Sequence, residues 1–337
     1  MVQDVVVPEN LKMPVSGHDY PRTWAHFLDW FPDETACREY LEDIRWRDGF
    51  VCSNCGESGE AFRGSRERWI CRHCRHQSSV TAGTIFDKTR TPLRSWLAAV
   101  WYVTNQKQGV NALGLQRVLG LGSYQTAWAM LHRLRRAMIR PGRELLSGLV
   151  EVDESFVGRS VSATGPAVKR RKQYANQADL RHTIVAIAVE IKTPKGFGRI
   201  RMRRVPDTSA ASVLPFVKDV MEPGSIVRTD GSWAYHKLEK LGFRRERTVL
   251  KGADEPAHVS LPGVHRISSL LNRWLMGTHQ GAVNPKQLDY YLDEFTFRFN
   301  RRTSRSRGLL FYRLLQQAML TEPVTYAQIT GKAKHNI

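Results

Sequence analysis

The sequence has no apolar run approaching the roughly 18 residues of a membrane-spanning helix, so no span is expected. Cysteine is scarce and odd in number, five in 337 residues, which does not suit a disulfide-stapled secreted fold. The opening residues MVQDVVVPENLK are acidic and apolar, not basic and then apolar, so no secretory leader is predicted. There is no internal repeat, no glycine motif that would cradle a phosphate and no Ser-His-Asp grouping, which removes support from nucleotide-hydrolase and serine-hydrolase readings. Negative charge is also short: 32 Asp and Glu stand against 51 Lys and Arg, for a net charge of +19. Hydrophobic residues make up 42%, an ordinary globular share that excludes wholesale disorder, and the length suits two or three domains. These absences leave a basic multidomain protein, expected in the cytoplasm near the nucleoid, with a polyanion as its first candidate partner.

Most of the positive charge is arginine, whose planar fork grips phosphates and guanine edges in pairs of hydrogen bonds. It is clustered at Arg133, Arg135, Arg136 and Arg140, at Lys169, Arg170, Arg171 and Lys172, along 199–204 and along 298–302. Clustering favours a nucleic-acid partner over a basic surface kept for solubility.

Four of the cysteines form Cys52-x2-Cys55 and Cys71-x2-Cys74, separated by 15 residues. Each knuckle turns two thiolates toward one point, and two knuckles complete a tetrahedral sulfur shell for a structural Zn²⁺ with no open position. The intervening AFRGSRERWI reads as a hairpin. Two disulfides are the competing reading, and His73 or His76 could substitute as ligands. Cys37 reads as a buried core thiol.

Residues 20–47 carry helical spacing broken at Pro32-Asp33, and a helix is predicted over 92–105, started by Pro92. Helices over 111–119 and 124–138, joined by a glycine-bearing turn with Ser123 as N-cap, have the layout of a helix-turn-helix. In it Ala127, Leu131 and Leu134 face inward, and Gln125, Ala129, Arg133 and Arg136 are expected to face DNA. Strands follow over 148–158, 182–191, 198–207 and 225–232, with helices over 211–221, 264–276 and 288–302. The basic segment 159–181 has no apolar period, and the tail beyond about 315 gives no clear signal. The domains predicted are a helical segment 1–48, a zinc ribbon 49–90, a helix-turn-helix region 91–145, a mixed α/β domain 146–312 and a tail 313–337.

Asp153 lies within an apolar strand and Asp230 at the end of another, just before Gly231. A carboxylate in such a place is costly without a partner, and a hard divalent cation is one natural answer. A hydrogen-bonded structural role is the plainer alternative.

The sequence resembles insertion-sequence transposases of the ISXO-like group, which join a zinc ribbon to a DDE-type domain of RNase H-like fold. The resemblance rests on CSNCG…WICRHCRHQSSVTAGTIFDKTRTPL, LGLGSYQTAWAMLHRLRRAM, EVDESFVG, VRTDGSWAY and VHRISSLLNRWLMGTHQGAVNPKQLDYYLDEFTFRFNRR, spanning about 20–312. It implies a multidomain α+β fold in which ribbon and helix-turn-helix precede an RNase H-like sheet. It implies Asp153 and Asp230 as the first two catalytic acids, binding Mg²⁺ or Mn²⁺. His265 stands where a third acid is usual and Asn272 where a basic residue is usual. Glu151 is a minor ligand candidate, Glu154 should face away by pleat parity, and Glu294 could supply the missing carboxylate. His279 is expected to contact DNA or close a loop. The implied activity is binding of transposon terminal inverted repeats, cleavage of the ends and transfer of the 3′-OH into target DNA, by at least a dimer. The alternatives are a DNA-binding regulator derived from a transposase, or a nuclease of the same fold.

Overall fold

The structure, a computed structural model, describes residues 13–157, 183–248 and 261–331. Two short helices come first, α1 (Trp24–Trp30) and α2 (Glu34–Arg45). Each opens on a side-chain cap: Thr23 accepts from the His26 amide, and Asp33 from the Ala36 amide. The strands β1 (Ala61–Arg63), β2 (Trp69–Cys71) and β3 (Gln77–Ser78) form a small antiparallel sheet. Helices α3 (Leu93–Asn105), α4 (Ala112–Leu119) and α5 (Tyr124–Ala137) follow. Then come β4 (Leu149–Val157), β5 (Thr183–Ile191), β6 (Phe197–Val205), α6 (Ala210–Val220), β7 (Ile226–Thr229) and β8 (Arg244–Arg247). The chain closes with α7 (Pro262–His279), α8 (Leu288–Asn300), α9 (Arg307–Leu320) and α10 (Tyr326–Thr330).

The chain divides into two compact units. One runs to Gln106 and takes in Ser304–Pro323; the other is Lys107–Thr303 with the residues from Val324 onward. In the first, α1, α2, α3 and α9 meet in an aromatic core. Phe27, Phe31, Trp101 and Phe311 pack with ring centroids 4.8–6.2 Å apart, mostly tilted or edge-on, as the ring quadrupoles prefer. Pro92 gives α3 no side-chain cap. Glu34 of α2 does so instead, accepting from the Leu93 and Arg94 amides at 2.8 and 2.9 Å. Cys37 is fully buried, and burial pushes its thiol up to about 12, as an inert core thiol requires.

In the second unit, Asn111 caps α4, Gly120 makes the turn at φ 62, and Ser123 caps α5, giving the expected helix-turn-helix pair. The five-stranded sheet has the order β6-β5-β4-β7-β8. The first three strands by sequence pair antiparallel, while β7 and β8 add parallel to β4, with α6 as the crossover. An apolar core covers each face. Val150 and Val152 point to α6 and Tyr235; Val185, Ile187 and Val189 of β5 point to α7 and α8. This three-antiparallel, two-parallel order is the RNase H-like arrangement. No helix among the described residues is long and apolar enough to cross a membrane.

Candidate functional site

In the ribbon, the four cysteine sulfurs lie within 4.8 Å of one another. Cys52 and Cys74 are 3.5 Å apart and Cys55 and Cys71 3.8 Å, far beyond a disulfide bond of about 2.05 Å. They match the edge of about 3.8 Å that Zn–S bonds of about 2.3 Å give a tetrahedron. Two matching turns form the knuckles: the Cys52 and Cys71 amides donate to the Glu57 and His76 carbonyls, each at 3.0 Å, and the Gly56 and Arg75 amides donate back to the Cys52 and Cys71 carbonyls at 2.9 and 3.0 Å. Trp46, Phe50 and Trp69 pack beneath Cys52 and Cys71. The His76 backbone amide holds the Cys74 thiol down to about 6, while, against the pull of the Glu57 backbone amide, desolvation and the neighbouring thiols push Cys55 up to about 12, so without a cation the four sulfurs do not all ionise together. The four cysteines are thus placed to bind a zinc ion.

The carboxylates sit where β4 and β7 run parallel. Glu151 pairs in register with Arg228, so Asp153 and Asp230, each two residues on, fall at the same level. Asp230 is the first residue past β7, and its Oδ1 accepts from the Ser232 amide at 2.9 Å. Asp153 Oδ1 accepts from the Glu154 amide at 2.8 Å. Burial raises the Asp153 carboxyl to about 6, and the nearby charge of Asp230 adds to the rise. Neither aspartate forms an ion pair among the described residues. Asp153 thus sits buried within reach of a second carboxylate, a donor set suited to a hard divalent cation.

Other predicted residues lie around this edge. Glu151 is fully buried and accepts from the Gly263 and Val264 amides at 2.7 and 3.2 Å, so it caps α7. Ser155, on Asp153's side of β4, meets Ser268 of α7 at 2.5 Å. His265 lies one turn before Ser268 and Asn272 one turn after it, so the three share a helix face. The Asn272 amide donates to the Ser268 carbonyl at 3.1 Å. Asp153, Asp230 and His265 are more widely spread than the cysteines; among the described residues only the cysteines gather three or more donor atoms within 4.8 Å. Parity puts Glu154 on the opposite face from Asp153, beside Tyr235, whose hydroxyl donates to it. Even so, burial and then the charges of Asp153 and Asp230 raise its carboxyl to about 7. Parity predicts which way a side chain points, not how far its charge acts at a strand's end.

Residues 145–300 match the ISXO2-like transposase domain, and residues 32–77 match the transposase zinc-ribbon domain. The chain thus carries a transposase zinc-ribbon domain followed by an ISXO2-like transposase domain. A protein of Halobacterium salinarum, described as an uncharacterized protein in transposable element ISH50, is 26% identical over 284 residues, covering 80% of this chain and 91% of that one. Among solved structures, the catalytic core domain of BIV integrase aligns at 17% identity and a TM-score of 0.28, covering 44% of this chain and 81% of that chain. A simian T-cell lymphotropic virus intasome in complex with PP2A regulatory subunit B56 gamma aligns at 14% identity and a TM-score of 0.29, over 63% and 74%.

The remaining predicted residues of this transposase have mixed settings. Gln125 is exposed in the first turn of α5, beside the exposed Tyr124. Arg133 is half-buried and donates to the Val324 carbonyl at 3.2 Å, and Arg136 is half-buried against Tyr290. Ala129, expected to face DNA, is buried. Helices α8 and α10 cover that flank of α5, which local periodicity cannot anticipate because both come from far along the chain. Lys169, Arg170, Arg171 and Lys172 lie outside the described residues. His279, expected at a DNA contact or loop, is interior and packs edge-on against Trp274 and Tyr291. Glu294 is no spare carboxylate: it is buried in ion pairs with Arg135 at 2.8 Å and Arg298 at 2.7 Å. Sequence reading passed over Trp233, three residues past Asp230 and 79% exposed, although an aromatic in a polar loop is a signal.

Proposed function

We propose that this transposase binds the terminal inverted repeats of its element, cuts the ends and joins the freed 3′-OH to target DNA. The observation that carries the reading is the pair Asp153 and Asp230, held level on adjacent parallel strands and coupled by charge. These two, with His265 from α7, would hold Mg²⁺ or Mn²⁺, while the ribbon cysteines would hold structural zinc. Bound divalent ions supply Lewis-acid stabilisation of charge on phosphodiester oxygens. In the first step a water oxygen attacks the phosphorus at the element's end and the 3′ oxygen leaves as a hydroxyl. In the second, that hydroxyl attacks a target phosphodiester, one ester bond forming as another breaks, so no ATP is consumed. The chain's part is to fix the acids: Ser232 holds Asp230, and the α7 face of His265, Ser268 and Asn272 closes the edge. His265 contributes no negative charge, and Asn272 would contact substrate DNA without a cation. The exposed first turn of α5 with Gln125, along with Arg133, Arg136 and Lys169–Lys172, would grip DNA. Two ends must be held together, which calls for at least a homodimer on DNA.

The test is an assay with labelled DNA carrying the inverted repeats that flank the gene, in Mg²⁺ or Mn²⁺. Joined product supports the transposase, cutting without joining a nuclease, and binding alone a regulator. Asp153→Asn should abolish cutting and joining while DNA affinity stays within about twofold. Undiminished joining by that variant would remove Asp153 from the reaction.

A further inference from the structure

The first unit holds a cavity of about 650 Å³, lined by Arg22, Trp24, Trp101, Arg305 and Arg307 among others. Its volume is in the range of built ligand sites. Among the described residues no acidic side chain lines it and none of the three arginines forms an ion pair with a carboxylate. Arg22 is held in place: its Nε and Nη2 donate to the Ser16 carbonyl at 3.3 and 3.0 Å. Its guanidinium also lies against Gly17, where φ is +82 and a Cβ would come within 2.6 Å of Nε. Arg305 and Arg307 approach from the start of α9, whose N-cap is Ser306. A helix start adds its own preference for an anion. Trp24 stacks one face on Phe27, at 4.8 Å and 9°, yet remains 47% exposed. This is a braced aromatic platform beside three uncompensated arginines.

We propose that this cavity takes an unpaired nucleotide of DNA, its phosphate between Arg22, Arg305 and Arg307 and its base stacked on Trp24. Arginines alone would fit any phosphate. The platform decides for an unpaired base, because a base inside a duplex already has both faces covered and can offer neither to Trp24. The site is chemically separate from the acids of the second unit and would receive a strand at a frayed or cut end. It rests on the reading above only for DNA as the polymer.

The test uses the full chain and fluorescence anisotropy with labelled oligothymidylate, a blunt duplex and the free mononucleotide dTMP as competitor. Trp24→Ala should weaken oligothymidylate binding about tenfold and leave blunt-duplex binding within about twofold. Trp24→Phe, which keeps a ring on Phe27, should recover most of the loss and thereby exclude mere misfolding. Arg305→Ala, at an exposed position, should lower the salt dependence of oligothymidylate binding by about one released ion. Unchanged binding in Trp24→Ala, an equal loss for blunt duplex, or competition by dTMP as strong as by the oligonucleotide would each overturn the proposal. Asp153→Asn should bind oligothymidylate like the wild type. Joining activity with an insensitive Trp24 would therefore sink the cavity alone, and a sensitive Trp24 without cutting or joining would sink the catalytic reading alone.

Discussion

Glu294 shows how a buried charge is made tolerable. Burial alone would raise its carboxyl, but Arg298 and Arg135 beside it outweigh that and hold it at about 2. Because that value lies below the ordinary one near 4.5, its ionised form stabilises the fold above pH 4.5 and the benefit fades as pH falls toward 2. Two histidines in the same cluster act in the same direction. Burial pushes His132 down to about 3 and His279 to about 4, so both stay neutral in the fold while an unfolded chain takes up protons below about 6.5. The raised carboxyls of Asp153 and Glu154 act in the opposite direction, so the test is a comparison: in urea unfolding between pH 7 and 4.5 the wild type should lose stability relative to a His132→Gln, His279→Gln variant, and parallel profiles would contradict the cluster. Glu294→Gln should cost about 3–5 kcal/mol at pH 7, since it leaves Arg135 buried without its partner. None of this was legible in the sequence. Arg135 and Glu294 each sit on helices of the expected kind, but their meeting across the second unit depends on how α5 and α8 pack.

The elements themselves were largely legible. The strands read over 148–158, 182–191 and 198–207 appear as β4, β5 and β6 with ends moved by one or two residues, because β-branched runs and alternation mark them strongly. The helix α9 was legible too but was missed. Leu310, Phe311, Leu314, Leu315 and Ala318 are all buried on one face at the spacing i, i+1, i+4, i+5 and i+8, a helical signal that the sequence did carry and sequence reading passed over. At this scale two changes are informative. Gly263→Ala would place a Cβ 2.7 Å from the Glu151 carboxylate and 2.9 Å from Ile191, at the cap of α7. A loss of about 1–3 kcal/mol in unfolding free energy is expected, while an unaffected variant would mean Glu151 does not fix the helix. Cys71→Ser should lower bound zinc well below one ion per chain and loosen the ribbon, as read by metal analysis and limited proteolysis. A variant with unchanged zinc and unchanged cutting pattern would contradict the four-sulfur site.

For the whole molecule, a net charge of +19 predicts DNA binding that weakens steeply with salt. The positions of Asp153 and Asp230 were readable from their apolar strands, but their closeness was not. It arises from β7 adding parallel to β4 in a register that brings two distant residues level. Everything catalytic proposed for this transposase depends on those two carboxylates holding a divalent ion together. A Mn²⁺ titration of the zinc-loaded protein, followed by electron paramagnetic resonance, measures that directly. The wild type should take up Mn²⁺ that both Asp153→Asn and Asp230→Asn fail to bind, with zinc content unchanged. Equal Mn²⁺ uptake by all three proteins would show that the two aspartates share no ion.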